Sequence, residues 1–245
     1  MTLIYAHRGA NREAAENTRS AFDKSLTYAI DGMETDVQLS LDEIALLWHD
    51  ADLHKVGLPG KRIDDFNHVQ LQTMNFAAHF SAAAPSASLM TLQEFLDAYR
   101  SKCRLLLEIK NRNWEPVFRH ELKMRQTLAM AGHSTSSDLI ISSFNLASLV
   151  YAHHCAPLFP LVYNLEPEQN LAHLEQVLLQ QPFLHGYCLP IQSLTSEWVT
   201  LLRAHGKCIA VYTCNSEAQI KHALALGVDI LISDVPQIAL QLRGQ

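Results

Sequence analysis

No apolar run in this 245-residue chain approaches the ~18 residues that a helix needs to span a bilayer, so stable membrane insertion is not expected. The opening MTLIYAHRG has no basic n-region, and its apolar stretch is too short for a signal peptide. Cysteine is scarce and unpatterned: Cys103, Cys155, Cys188, Cys208 and Cys214 are odd in number, and no two stand in C-x-x-C spacing. That suggests neither a disulfide framework nor a zinc site, leaves the thiols as small core residues, and points to a cytoplasmic location. A basic excess is also missing. Lys and Arg total 19 against 25 Asp and Glu, a net charge of -6, which argues against a nucleic-acid partner. Neither G-x-G-x-x-G nor G-x-x-x-x-G-K-[ST] occurs, and repeats and low-complexity tracts are not evident.

What is present is a globular composition, 48% hydrophobic and 18% charged, in a chain long enough for one large α/β domain or two small ones. Short β-rich runs alternate with segments of helical period. The strand candidates are 3–7, 33–39, 104–110, 138–144, 158–164, 185–190, 207–213 and 228–234, and a ninth run, 44–50, reads as a hairpin-like extension of the second. Asn17 is read as the cap of a helix carrying Phe22, Leu26, Ala29 and Ile30. Thr91 with Glu94 and Ser216 with Gln219 form capping boxes. Eight strands, each followed by a helical stretch, favour a single (β/α)8 TIM barrel over residues 1–245; an open doubly wound sheet is the alternative, without a phosphate-loop motif to support it. The even spacing is interrupted by an insertion over about 51–90, which holds a Gly57–Gly60 turn, ends in Ala82-Ala83-Ala84-Pro85-Ser86, and fits either a lid or a flat cap.

Chemistry in such a barrel sits at the C-terminal strand ends. The first strand ends in His7-Arg8. Glu34 and Asp36 share one face of the second, His49-Asp50 ends its extension, and Glu108 and Lys110 share one face of the third. Three carboxylates pointing into one interior would repel by roughly 4 kcal/mol per pair at ~4 Å and an effective dielectric of ~20. One divalent cation relieves this, and all-oxygen ligands suit Mg²⁺, Ca²⁺ or Mn²⁺ rather than zinc. That leaves one negative charge; Arg8 and Lys110 bring the pocket to one positive charge, which a phosphodiester would neutralise. Histidine suits both proton removal and leaving-group protonation near pH 7, and His7 and His49 are placed to flank a phosphorus.

With HRG (7–9), ENT (16–18), GMETDVQLSLD (32–42), WHD (48–50), LLEIK (106–110), SF (143–144), VYTCN (211–215) and LISDVP (231–236) in this order, the chain resembles the glycerophosphodiester phosphodiesterases of bacterial cytosolic type. The resemblance implies a TIM barrel with a small insertion, one divalent cation, and hydrolysis of a small-molecule glycerophosphodiester to sn-glycerol 3-phosphate and an alcohol, in a monomer or homodimer. It implies Glu34, Asp36 and Glu108 as metal ligands, His7 and His49 as the acid/base pair, and Arg8 and Lys110 as phosphate contacts. Ala15 stands where the family usually has proline, Asp42-Glu43 where it commonly has Asp-Gly, and Tyr212 where tryptophan is usual. Asn215 is a further substrate-binding candidate, and Glu16, Ser143 and Asp234 are candidates to brace the pocket. Competing readings are a related lipid phosphodiesterase of lysophospholipase D or sphingomyelinase D type, and a non-catalytic phosphate-ester binding module. His153-His154 reads as helix-end structure, and Trp114, Phe118 and Leu122 as core.

Overall fold

The computed structural model describes residues 1–81, 85–132 and 138–244. Its order is β1 (Leu3–His7), α1 (Arg19–Ser25), β2 (Gly32–Leu39), β3 (Ala45–Leu47), α2 (His68–Leu71), α3 (Leu92–Tyr99), β4 (Arg104–Ile109), α4 (Val117–Ala131), β5 (Leu139–Ser143) and α5 (Leu146–Cys155). It continues with β6 (Leu161–Asn164), α6 (Leu171–Gln180), β7 (Gly186–Pro190), α7 (Ser196–Ala204), β8 (Cys208–Tyr212), α8 (Glu217–Ala225), β9 (Ile230–Ser233) and α9 (Pro236–Arg243). Eight parallel strands close into a barrel when β1 pairs with both β9 and β2. The expected eight-stranded barrel is therefore found, with β3 running antiparallel on β2 as the hairpin extension.

Strand alternation sorts the side chains into two cores. Ile4, Met33, Val37, Leu105, Leu107, Ile141 and Leu231 face outward and pack under the helices. Tyr5, Leu106, Ile140, Val162, Cys188, Ala210, Ile230 and Ile232 fill the barrel interior. Glu34, Asp36 and Glu108 share the inward parity, which stacks them toward the C-terminal rim above that apolar filling. The segment after β3 carries a small core of its own, in which Leu46, Trp48, Leu53, Ile63, Leu71, Phe76 and Leu89 pack together. Ala82, Ala83 and Ala84 of that segment lie outside the described residues. No helix among the described residues is long and apolar enough to cross a membrane.

Both capping boxes form as expected, at Thr91–Glu94 and Ser216–Gln219. Three other expectations are corrected. Thr18, not Asn17, caps α1, its hydroxyl accepting from the Ala21 N–H. The helix stops at Ser25, so Leu26, Ala29 and Ile30 follow its last turn. Trp114 and Phe118 are not core but 42% and 60% exposed, because Trp114 precedes α4 and lies under the Arg62 and Arg112 guanidinium groups instead. Cys155, at the end of α5, is exposed, while Cys188 and Cys214 are buried; all five cysteines are free. His153 does occupy a helix end, stacked at 4.1 Å on Phe183.

The β2–β3 turn places Glu43 at φ 63°, in the left-handed region that glycine adopts freely. The missing glycine thus leaves its conformation behind, with a side chain forced into it. Replacing Glu43 by glycine is expected to raise stability by up to about 1 kcal/mol, read as a higher urea midpoint at unchanged m-value.

Candidate active site

At the end of β1 the chain turns sharply, with Arg8 at φ 56° and Gly9 at φ 80°. Gly9 has no room for a side chain, since a Cβ would sit 2.6 Å from the Ala21 backbone. Arg8 accepts the left-handed strain because its main chain is clamped on both sides: its N–H donates to the Glu34 carbonyl at 3.0 Å, and its carbonyl accepts from the Asn17 N–H at 3.1 Å. The guanidinium then reaches Asp36 Oδ2 at 3.1 Å and Glu16 Oε2 at 3.3 Å.

Parallel register sets His7 opposite Glu34 and Asp36 opposite Glu108. Ligand oxygens of Glu34, Asp36 and Glu108 fall within 4.8 Å of one another. Lys110 Nζ lies 2.5 Å from Glu108 Oε1 and 3.1 Å from Asp36 Oδ1, and Asn17 Nδ2 donates to Asp36 Oδ2 at 3.0 Å. Burial works against an ionised Asp36, but Lys110 and Arg8 outweigh it and hold the carboxyl well below the usual range. Glu34 shows the reverse: burial, then the Asp36 charge, push its carboxyl well up, and it has no ion pair to Lys or Arg among the described residues. A divalent cation fits this arrangement, because Glu34 lacks the positive charge that its neighbours already have and the donors are all oxygen.

Each histidine is backed by an aspartate. His7 Nδ1 lies 2.5 Å from Asp234 Oδ1, and His49 Nδ1 lies 2.8 Å from Asp50 Oδ1. Both carboxyls are held below the usual range against the pull of burial, chiefly by these histidine hydrogen bonds and, at Asp50, also by Lys55. An ionised carboxylate can only accept, so Nδ1 donates in both rings and Nε2 is left to the cavity. Burial and the Arg8 charge lower the pKa of His7 below 6.5, although Asp234 opposes them. The His49 main chain is fixed as well: its carbonyl accepts from Arg112, while Gln38 Nε2 donates to the carbonyls of Trp48 and Asp50.

These groups surround a cavity of about 170 Å³. His7, Arg8, Glu34, His49, Glu108 and Lys110 line it, and Phe144 and Tyr212 meet edge to face beside them. The Tyr212 hydroxyl donates to the Leu165 carbonyl at 2.7 Å, which tethers the ring that stands where tryptophan is usual. Asp36 is fully buried beside this wall. Asn215 is not part of the lining; its Nδ2 donates to Asp234 Oδ2 at 2.7 Å, and its Oδ1 accepts from the Asp234 N–H. Ser143 donates to the Ile109 carbonyl at the end of β4. A larger hollow of about 490 Å³ opens at the other end of the barrel, but its Arg104 and Arg203 are paired with Asp138 and Asp229.

A profile of the glycerophosphoryl diester phosphodiesterase family matches residues 7–238. The chain belongs to that family. As a glycerophosphoryl diester phosphodiesterase family member it is an enzyme, a phosphoric diester hydrolase. It is 28% identical to a glycerophosphodiester phosphodiesterase of Bacillus altitudinis, covering 100% of this chain and 99% of that protein. It is 26% identical to one of Caldanaerobacter subterraneus, over 98% and 97%. Among solved structures it is similar to an Oleispira antarctica phosphodiesterase in complex with the product sn-glycerol-3-phosphate, with TM-score 0.87, 23% identity, and 100% and 98% of the two chains covered. The glycerophosphodiester phosphodiesterase of Thermotoga maritima superposes with TM-score 0.79 at 23% identity over 99% of each chain.

Sequence reading missed several groups that shape the site of this family member. Asn17 is fully buried, where its side chain donates to Asp36 and accepts from the Thr35 hydroxyl; an asparagine in a helix-start context looks like a cap and gives no sign of this. Lys123, 0% exposed within α4, donates to the Lys110 carbonyl and to both Glu115 oxygens at 3.0 Å. Burial lowers the Lys123 pKa to about 8 despite Glu115, so the ammonium is retained at neutral pH by that partner. Replacing Lys123 by methionine leaves the buried Glu115 carboxylate with only the Arg112 N–H and His120 beside it and is expected to lower stability by up to about 3 kcal/mol in urea unfolding, while Lys123→Met with Glu115→Leu should lose less.

Proposed function

We propose that the enzyme hydrolyses glycerophosphodiesters such as glycerophosphocholine or glycerophosphoethanolamine to sn-glycerol 3-phosphate and an alcohol, as a step in glycerophospholipid degradation. The observation that carries this is the pairing of two aspartate-backed histidines with three clustered carboxylates around one small cavity. His7 is the base: its lowered pKa keeps it neutral, and its Nε2 lies 3.9 Å from Glu34 Oε2, beside the carboxylate cluster. It takes the proton from the attacking oxygen, which is a water molecule on a direct route or the substrate's own adjacent hydroxyl on a cyclic-phosphate route, where water, deprotonated by His49, then opens the cyclic ester as His7 returns its proton. His49, the more exposed of the two, protonates the departing alcohol oxygen. Arg8 and Lys110 face the phosphoryl oxygens, and Asn215 acts through Asp234. A divalent cation held by Glu34, Asp36 and Glu108, Mg²⁺ or Ca²⁺ with Mn²⁺ also suited, would lower the pKa of the attacking hydroxyl and offset developing negative charge. The free cysteines support a reducing, cytoplasmic setting.

One observation favours the rival lipid phosphodiesterase. Trp114, Val117 and Phe118 are all exposed, and Trp114 lies under Arg112, which itself holds the His49 carbonyl. Release of glycerol 3-phosphate from glycerophosphocholine, set against headgroup release from lysophosphatidylcholine, separates the two readings.

Replacing His7 or His49 by alanine is expected to cut turnover of glycerophosphocholine at least ~100-fold, and near-normal rates in both variants would overturn the assignment. Chelation should abolish activity, with Mg²⁺ or Ca²⁺ restoring it. A base must be unprotonated, so the acid limb of the pH–rate profile should lie below pH 6.5. Asp234 raises the His7 pKa; Asp234→Asn is therefore expected to move that limb to still lower pH while turnover falls.

A further inference from the structure

We propose that Lys55, from the segment between β3 and α3, is a positioning residue that holds the His49 imidazole and the Arg8 guanidinium in place through one shared ammonium. The inference rests on the function proposed above. Lys55 Nζ lies 3.0 Å from Asp50 Oδ2 and 2.7 Å from Glu16 Oε1. Asp50 uses its other oxygen for His49 Nδ1 at 2.8 Å, and Glu16 uses its other oxygen for Arg8 Nη1 at 3.3 Å. An unbroken chain of charged contacts thus runs from His49 through Asp50, Lys55 and Glu16 to Arg8.

The position of the ammonium gives it this role. Ligand atoms of Glu16, His49 and Asp50 fall within 4.8 Å of one another, a spacing in which two carboxylates need a cation between them. Lys55 supplies that cation from within the chain. Without it, Asp50 and Glu16 repel, Asp50 is free to turn from His49 Nδ1, and Glu16 bears on Arg8 alone, in competition with Asp36. The lysine is itself well placed: it sits in the turn His54–Val56, which follows the buried Leu53. Its Nζ lies 6.0 Å from the ring of Trp48, whose indole is fully buried in the small core of the segment. The segment therefore supplies a working part of the site.

The test is a steady-state comparison on glycerophosphocholine of Lys55→Met, Lys55→Arg, Asp50→Asn, Glu16→Gln, the Lys55→Met/Asp50→Asn double variant and His49→Ala, each with a thermal melt. The Lys55→Met variant is expected to lose ~10–100-fold in kcat, the range for residues that orient a reacting group, with a rise in KM through the Glu16 branch. Lys55→Arg, which keeps the charge, should recover most of both. Because Lys55 acts on His49 through Asp50, the double variant should be little worse in kcat than Asp50→Asn alone. Losses that simply multiply, or a Lys55→Met enzyme with normal kcat while His49→Ala is inactive, would overturn the role of Lys55 and leave the reaction intact. An active His49→Ala would overturn the catalytic assignment itself. A Lys55→Met variant that melts early and is not rescued by arginine reduces Lys55 to a fold residue and also overturns the inference.

Discussion

Three carboxylates inside a parallel barrel impose the constraint to which most of the site responds. Glu34, Asp36 and Glu108 share inward parity on two adjacent strands, so backbone hydrogen bonding alone sets them side by side. Electrostatics in a buried setting then requires positive charge from every available direction. Arg8 reaches in from the end of β1 and Lys110 from the end of β4. Behind these stand residues that never meet the cavity: Asn17 on Asp36, Glu16 on Arg8, and Lys123 on the Lys110 carbonyl. Burial of charge at this density is tolerated because Asp36 and Glu108 each meet a positive charge, while Glu34, which pairs with no Lys or Arg among the described residues, has its carboxyl pushed well up by burial.

The same logic explains the unusual backbone of the HRG turn. A residue with relaxed φ after His7 would carry its side chain away from the barrel mouth. Left-handed geometry at Arg8 brings the guanidinium back over Asp36, and the returning Asn17 N–H locks it there. Strain is thus stored where the site needs an inward-aimed cation and is balanced by one hydrogen bond to Glu34 of β2 and one from Asn17, nine residues downstream.

Much of this was legible in the sequence, for a physical reason. Strands of a parallel barrel are local, their inward parity follows from a period of two, and ionisable residues at their C-terminal ends stand out against apolar runs. His7, Glu34, Asp36, Glu108 and Lys110 were accessible in that way. What stayed hidden depends on contacts between distant segments. Lys55 lies in a polar stretch with no periodicity, so nothing local distinguishes it from a solvated lysine. Asn17 occupies a helix-start context that predicts a cap, and its real partner is a strand away. Of Trp114, Phe118 and Leu122, read as core from their helical spacing, only Leu122 packs against it, because a spacing of four does not say which face meets the core. The Arg62 and Arg112 guanidinium groups stand over the exposed Trp114 indole instead.

The tripeptide Trp48-His49-Asp50 belongs to two structures at once. Its tryptophan is buried in the small core beyond β3, and its histidine lines the cavity, held between Asp50 and Arg112. That core is a satellite of the barrel, with far fewer apolar side chains than the main one, and satellites of this kind open at lower free energy than the body of a protein. On warming, catalytic competence should therefore be lost as the satellite loosens, at temperatures where the barrel is still folded, so that heat inactivation and global melting report on different parts of the molecule.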